Sequence, residues 1–182
     1  MKRFAPALIM FSLLVLFACK KDESYISMSA MESAVWIEIN EFRTDNNKAA
    51  ATANYDTMVE QAKIYSAQMA AGDQPVDGSG LTDIWNTIYD RWGGTNQVAI
   101  VSKTTKGSSD ISVEDIIDPI KDDTGTGEAL LEDVNIGGVG IVYDADGNAY
   151  TTILMMKAQS NYASRQISIP SLGSSSIELF TK

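Results

Sequence analysis

Residues able to do chemistry are few in this 182-residue chain. There is one cysteine, Cys19, and no histidine at all. Without an imidazole, no Ser-His-Asp or Cys-His arrangement can be built. The commonest general base, the commonest metal ligand and the usual pH switch near neutrality are missing with it. No serine stands three residues before a lysine, so a lysine-assisted serine is excluded as well. What remains is carboxylate. Asp122-Asp123 and Glu132-Asp133 are adjoining acidic pairs, but adjacency in sequence does not bring two acids together across a cleft. They read as a solvated acidic face. Asp144-Ala145-Asp146-Gly147-Asn148 offers oxygens for calcium, yet lacks the third acid, the later glutamate and the length of an EF-hand loop. Its Asp-Gly step predicts a hairpin turn instead. Gly137-Gly138-Val139-Gly140 is followed by neither lysine nor helix and is no phosphate loop. Trp85, Tyr89 and Trp92 could stack on a sugar or hold a lipid tail. The same spacing also suits ordinary packing.

A net charge of −10 argues against a nucleic-acid partner, because phosphates need a basic face. The length is enough for one domain with a sizeable core, and a hydrophobic fraction of 45% is normal for a folded protein.

Cys19 has its own context. Lys2 and Arg3 form a charged start, and Ala7 to Ala18 form an apolar stretch too short to span a bilayer. Leu16-Phe17-Ala18-Cys19 then resembles a bacterial lipobox, in which the thiol receives lipid and the preceding bond is cut. The expectation is a signal peptide over 1–18 and a lipidated Cys19 at the head of a tether over 19–30. Lys20-Lys21-Asp22-Glu23 resembles the surface-export signal of Bacteroidetes-type lipoproteins. The expected location is the bacterial cell envelope, anchored in the outer membrane with the domain facing outward. The membrane is then a partner through the lipid on Cys19.

The elements that must position any site follow from periodicity. Ser29 to Asn46 predicts a helix with Val35, Ile39 and Phe42 on one stripe, widened by Trp36 and Ile37. Glu38, Glu41 and Arg43 are expected away from that stripe. Thr57 and Glu60 have the spacing of a capping box, with Met58, Ala62, Tyr65 and Met69 following at helical spacing and Gly72 as the stop. A short helix carries Ile84, Trp85, Ile88 and Tyr89. Val98 to Val101 predicts a strand. Ser112 to Lys121 predicts a helix capped by Ser112 that Pro119 breaks or restarts, with Asp118 as the new cap. Ile136 to Tyr143 and Ala149 to Met156 predict a hairpin whose glycines admit another backbone or a bulge.

These segments carry a resemblance. Ile39-Asn40-Glu41-Phe42-Arg43 resembles the first-helix motif of the CAP superfamily (cysteine-rich secretory proteins, antigen 5 and pathogenesis-related 1 proteins). Ala62, Ser66, Met69 and Ala70 resemble its small-residue second helix. Asn96-Gln97-Val98-Ala99 resembles its "ENIA" strand. Leu130-Leu131 followed by Ile136-Gly137-Gly138-Val139-Gly140 resembles its glycine-rich passage, and Tyr150 to Leu154 its closing strand. The resemblance spans a domain over 31–157, leaving 158–182 as a C-terminal extension that could add an edge strand.

The resemblance implies an α+β fold: a three-layer α-β-α sandwich around a mostly antiparallel sheet. It also implies a cleft that in many members holds two histidines and two acids able to bind a divalent metal. Here the first histidine position falls on Asp77, the acid of "ENIA" on Asn96 and the second histidine on Thr126. The tryptophan six residues earlier falls on Ile120, and Glu114 is a candidate for the second acid. No metal and no cofactor is therefore expected. The implied role is a binding or interaction module whose ligand is a protein, a glycan or a lipid. The alternatives are a carboxylate-based hydrolase using the same cleft and a purely structural envelope protein.

Overall fold

The computed structural model describes residues 27–159. The expected signal peptide, Cys19 with most of its tether, and the extension beyond residue 159 lie outside the described residues.

The first helix, α1, runs over Ala30–Asp45. Ser29 and Glu32 cap it reciprocally: the Glu32 amide donates to the Ser29 hydroxyl at 3.2 Å, and the Ser29 amide donates to the Glu32 carboxylate at 2.6 Å. Val35, Trp36 and Ile39 are buried as the periodicity predicts. Two residues depart from it. Ile37 is 56% exposed, because it points off the stripe that faces the sheet. Arg43, expected at the surface, is 1% exposed. Its guanidinium reaches inward to backbone carbonyls, which a hydropathy pattern does not register.

A two-residue strand, β1 (Thr52–Ala53), follows without a periodic signal of its own. The chain then makes one π-helical turn over Tyr55–Val59 before helix α2, Glu60–Ala71. The Thr57–Glu60 capping box does not form. Asn54 caps this turn instead: its side chain accepts from the Met58 amide at 3.2 Å, and its carbonyl accepts from the Val59 amide at 3.0 Å. Gly72 ends α2 at φ +80°, a conformation that glycine adopts freely. Helix α3 spans Thr82–Trp92. Strand β2 runs over Gly94–Thr104, longer than the apolar run at its centre. Helix α4, Val113–Asp122, is capped by Ser112 and Asp115. Pro119 sits inside it without breaking it; the expected restart at Asp118 is replaced by a separate helix, α5 (Thr124–Leu130), capped by Asp123. Strands β3 (Ile136–Tyr143) and β4 (Ala149–Ala158) form the predicted hairpin.

The four strands lie in the order β1-β3-β4-β2. β1 is parallel to β3, and the other two pairings are antiparallel. Among the described residues no helix is long and apolar enough to cross a membrane.

β4 shows why the sheet needs helices on both faces. Successive strand residues point to opposite sides, and β4 is apolar on both. Ala149, Ile153 and Met155 enter one core with Val35, Ile39, Ile117 and Leu130. Tyr150, Leu154 and Met156 enter the other with Met58, Tyr65, Ile88 and Trp92. So α1, α4 and α5 cover one face, and the π turn, α2 and α3 cover the other. The architecture is the expected α-β-α sandwich. Two glycines of β3 set the spacing of the second layer. A Cβ on Gly138 would fall 2.6 Å from the Val59 nitrogen, and one on Gly140 would collide with the Ala62–Lys63 backbone. The helix backbone therefore rests on the strand itself. Ser66 fastens this contact by donating to the Gly140 carbonyl at 2.9 Å.

Candidate functional site

Among the described residues β2 has a strand partner, β4, on one side and none on the other. A cleft of about 400 Å³ lies between β2 and α5. Asn96, Gln97, Val98 and Ala99 form the strand wall; Gly125, Glu128 and Ala129 of α5, with Glu132 just past its end, form the facing wall.

Local features of the chain shape each wall. The β2–β4 register shifts between Thr95 and Val98, and Asn96 takes φ +52°, which asparagine tolerates better than most residues. Such a bulge bends a strand and re-aims its side chains. The Asn96 amide group then donates to the Asp133 carbonyl at 3.1 Å, spanning the end of the cleft. Across it, the Asp123 carboxylate caps α5 by accepting from the Thr126 amide at 2.9 Å. Thr126 bonds back to α4, its hydroxyl donating to the Ile120 carbonyl at 2.7 Å. A Cβ on Gly127 would lie 2.6 Å from the Lys121 carbonyl, so this glycine permits the sharp α4–α5 corner.

Beneath the helix wall sits Arg43. Its guanidinium donates to the carbonyls of Leu130, Glu132 (3.0 Å), Val134 (3.3 Å) and Ala49 (3.0 Å). One buried cation thereby fixes the segment that carries Glu132 and leads into β3. Burial lowers the Arg43 pKa from its ordinary value, and the nearby Asp133 charge opposes that shift. Asp133 itself is exposed and paired with Lys157, whose ammonium holds the carboxyl below the usual range.

In chemical terms the cleft offers amides, small apolar surface and two carboxylates. Glu128 and Glu132 have no ion pair among the described residues. No group of three or more carboxylate or thiol side chains among the described residues is placed to hold a metal ion.

Two solved structures share this architecture. One is an outer surface protein from Borrelia burgdorferi, with a TM-score of 0.57 and 15% identity over 70% of this chain and 92% of that one. The other is venom allergen-like protein 4 of Schistosoma mansoni, with a TM-score of 0.53 and 10% identity over 73% of this chain and 92% of that one. The fold is CAP-like. No protein-family model and no curated protein matches the sequence. At such identities the likeness is one of fold.

Within this CAP-like frame the expected site positions separate. Asn96 lines the cleft, and so do the three residues that follow it. Thr126 lies between two cleft residues, Gly125 and Glu128, but its hydroxyl is turned to α4. Ile120 is buried in the core under it. Asp77 lies in the α2–α3 connection, exposed, its carboxylate accepting from the Ser79 amide at 2.8 Å. That bond and the Ser79 hydroxyl lower the Asp77 pKa. Asp77 is not among the cleft residues. Glu114 is exposed in the first turn of α4 and does not line the cleft. The aromatic residues sit on α3, which packs on the other face of the sheet: Trp92 is buried, Trp85 is partly buried against the same core, and Tyr89 is 52% exposed. None of the three lines the cleft.

Sequence reasoning missed Glu128, Gly125 and the role of Arg43. The Asp123-Thr124-Gly125-Thr126 segment does carry an N-cap signature for α5. Nothing in the sequence marks Arg43 as buried.

Proposed function

We propose that this protein is a lipid-anchored component of the bacterial cell envelope whose CAP-like domain binds a partner in the β2–α5 cleft and does not catalyse a reaction. The observation that carries the reading is the chemistry of the cleft wall. Its side chains are amides, alkyl groups and two glutamates, in a chain with no histidine. Asn96 and Thr126, which the resemblance matches to the family's acid and second histidine, are both engaged in structural hydrogen bonds. Anchoring rests on Leu16-Phe17-Ala18-Cys19 and its flanking segments. A neighbour in fold bearing the name outer surface protein supports an envelope location. The lipid on Cys19 would bury methylenes at about 0.8 kcal/mol each, enough for firm attachment with several chains.

Two experiments test this. Cys19→Ala is expected to move the protein from the membrane fraction to the soluble one; unchanged membrane association would overturn the anchor. The full chain is expected to turn over no ester, peptide or glycoside substrate. Turnover that is lost in Glu128→Gln or Glu132→Gln would replace the binding reading with the carboxylate-based hydrolase, because both acids line one cleft.

A further inference from the structure

We infer that the β2–α5 cleft takes an extended, lysine- or arginine-bearing peptide segment that pairs with the free edge of β2. The inference rests on the binding reading above and names the partner. The first argument is backbone chemistry. β2 runs over Gly94–Thr104 with β4 along one side and, among the described residues, no strand along the other. Its register with β4 shifts at Asn96 and Gln97 and is regular from Val98 to Thr104, so past the bulge the strand keeps a regular run of amides and carbonyls on the side away from β4, and Val98 and Ala99 carry that run into the cleft. An uncovered edge of this kind is a template for another strand, and peptide recognition by strand addition uses it.

The second argument is the shape beside the edge. A cleft adjoins this strand, lined by the consecutive residues Asn96–Ala99 and, opposite them, by α5 and Glu132. Asn96 and Gln97 lie in the bulge, so pairing would begin at Val98 and Ala99, about 7 Å of extended partner at about 3.3 Å per residue, and continue toward Thr104.

The third argument is charge, and it selects the occupant. Glu128 and Glu132 stand on the facing wall without an ion pair among the described residues. A cationic side chain, alternating out of a paired strand, would meet them. A second copy of this chain is disfavoured: it carries a net charge of −10, and edge-to-edge pairing would bring its own Glu128 and Glu132 toward the same acids.

The test is a titration of the full-length chain in detergent micelles with a blocked peptide of alternating lysine and valine. Its comparators are the glutamate-valine peptide and a lysine-valine peptide N-methylated at alternate amides. Saturable binding of the first peptide alone is expected. It should weaken about tenfold in the Glu128→Gln, Glu132→Gln double variant, as two exposed ion pairs are lost, and also in high salt. Equal binding of the N-methylated peptide would overturn strand addition, and equal binding of the acidic peptide would overturn the charge selection. If binding appears only after residues 160–182 are removed, that segment of the chain is the occupant and the proposal fails. Binding of a fatty acid or a neutral oligosaccharide in place of the peptide would also overturn it, while leaving a binding module. Cleavage of the peptide would leave the docking mode standing and overturn the non-catalytic reading.

Discussion

Arg43 shows how much of a site can hang on one side chain. Its guanidinium presents several donors in a fixed fork, and here they serve four carbonyls from two separate segments. Replacing it with methionine keeps the length and removes every donor. Stability should fall by about 3 kcal/mol, because buried carbonyls are left without partners. Urea unfolding of Arg43→Met checks this; a loss below about 0.5 kcal/mol would show that the carbonyls find other donors. Arg43→Lys should recover only part of the loss, since a point ammonium cannot span the fork. The control is Ile37→Ser on the same helix, which should change little because Ile37 is already mostly exposed. Sequence pattern ranked these two residues the wrong way round. Hydropathy describes what a side chain prefers, not whether distant backbone offers it acceptors.

At the scale of elements, the contact between α2 and β3 depends on absent side chains. Gly140→Ala would push a Cβ into the Ala62–Lys63 backbone. Overpacking of this kind should cost about 2 kcal/mol, since neither strand nor helix can yield alone. Gly107→Ala has open space around it and should shift the unfolding midpoint little, which separates the clash from a general effect of losing glycine. The run Ile136 to Tyr143 announced such a close approach through its glycines; which element approached was not readable, because that depends on where the π turn delivers α2. At the cleft, Asp123→Ala removes the cap of α5. A loss of about 1 kcal/mol is expected, with weaker peptide binding, because Glu128 stands on that helix. Unchanged binding after loss of the cap would show that α5 is held by its core contacts alone.

For the whole molecule, the lack of histidine has a consequence for pH. Asp123, Asp133 and Asp144 all have carboxyls lowered from their ordinary value: Asp123 by the Thr126 amide and hydroxyl, Asp133 by Lys157, and Asp144 by the Asn148 side chain. A depressed folded-state value gives stability that is present above the unfolded value, near 3.8, and lost as pH falls through the folded one. On the alkaline side, burial and then the Glu32 charge raise Tyr143. Lys121 is raised as well: burial lowers it, but bonds to Asp118 and Glu38 outweigh that. Stability from these groups is present below their unfolded values of 10.0 and 10.5 and lost as pH rises through the folded ones. With no histidine to titrate between, unfolding free energy should stay level from about pH 5 to 8 and fall outside it. Denaturant unfolding across pH measures this, and a step near neutrality would contradict it. By itself the sequence determined the hairpin, the helix that starts at Ser29, the cap at Ser112, the helical stop at Gly72 and the poverty of catalytic groups. Each is local: an Asp-Gly turn between two apolar runs, a helical stripe, a side chain bonding its own helix end, a glycine in a left-handed turn, a residue type that is absent. Only the tertiary structure decided that Arg43 is buried, that β2 ends the described sheet, and that Glu128 and Asn96 line one cleft while Asp77 and the α3 aromatics do not. Those outcomes depend on how segments far apart in sequence pack on the two faces of one sheet, and no short-range pattern encodes that placement.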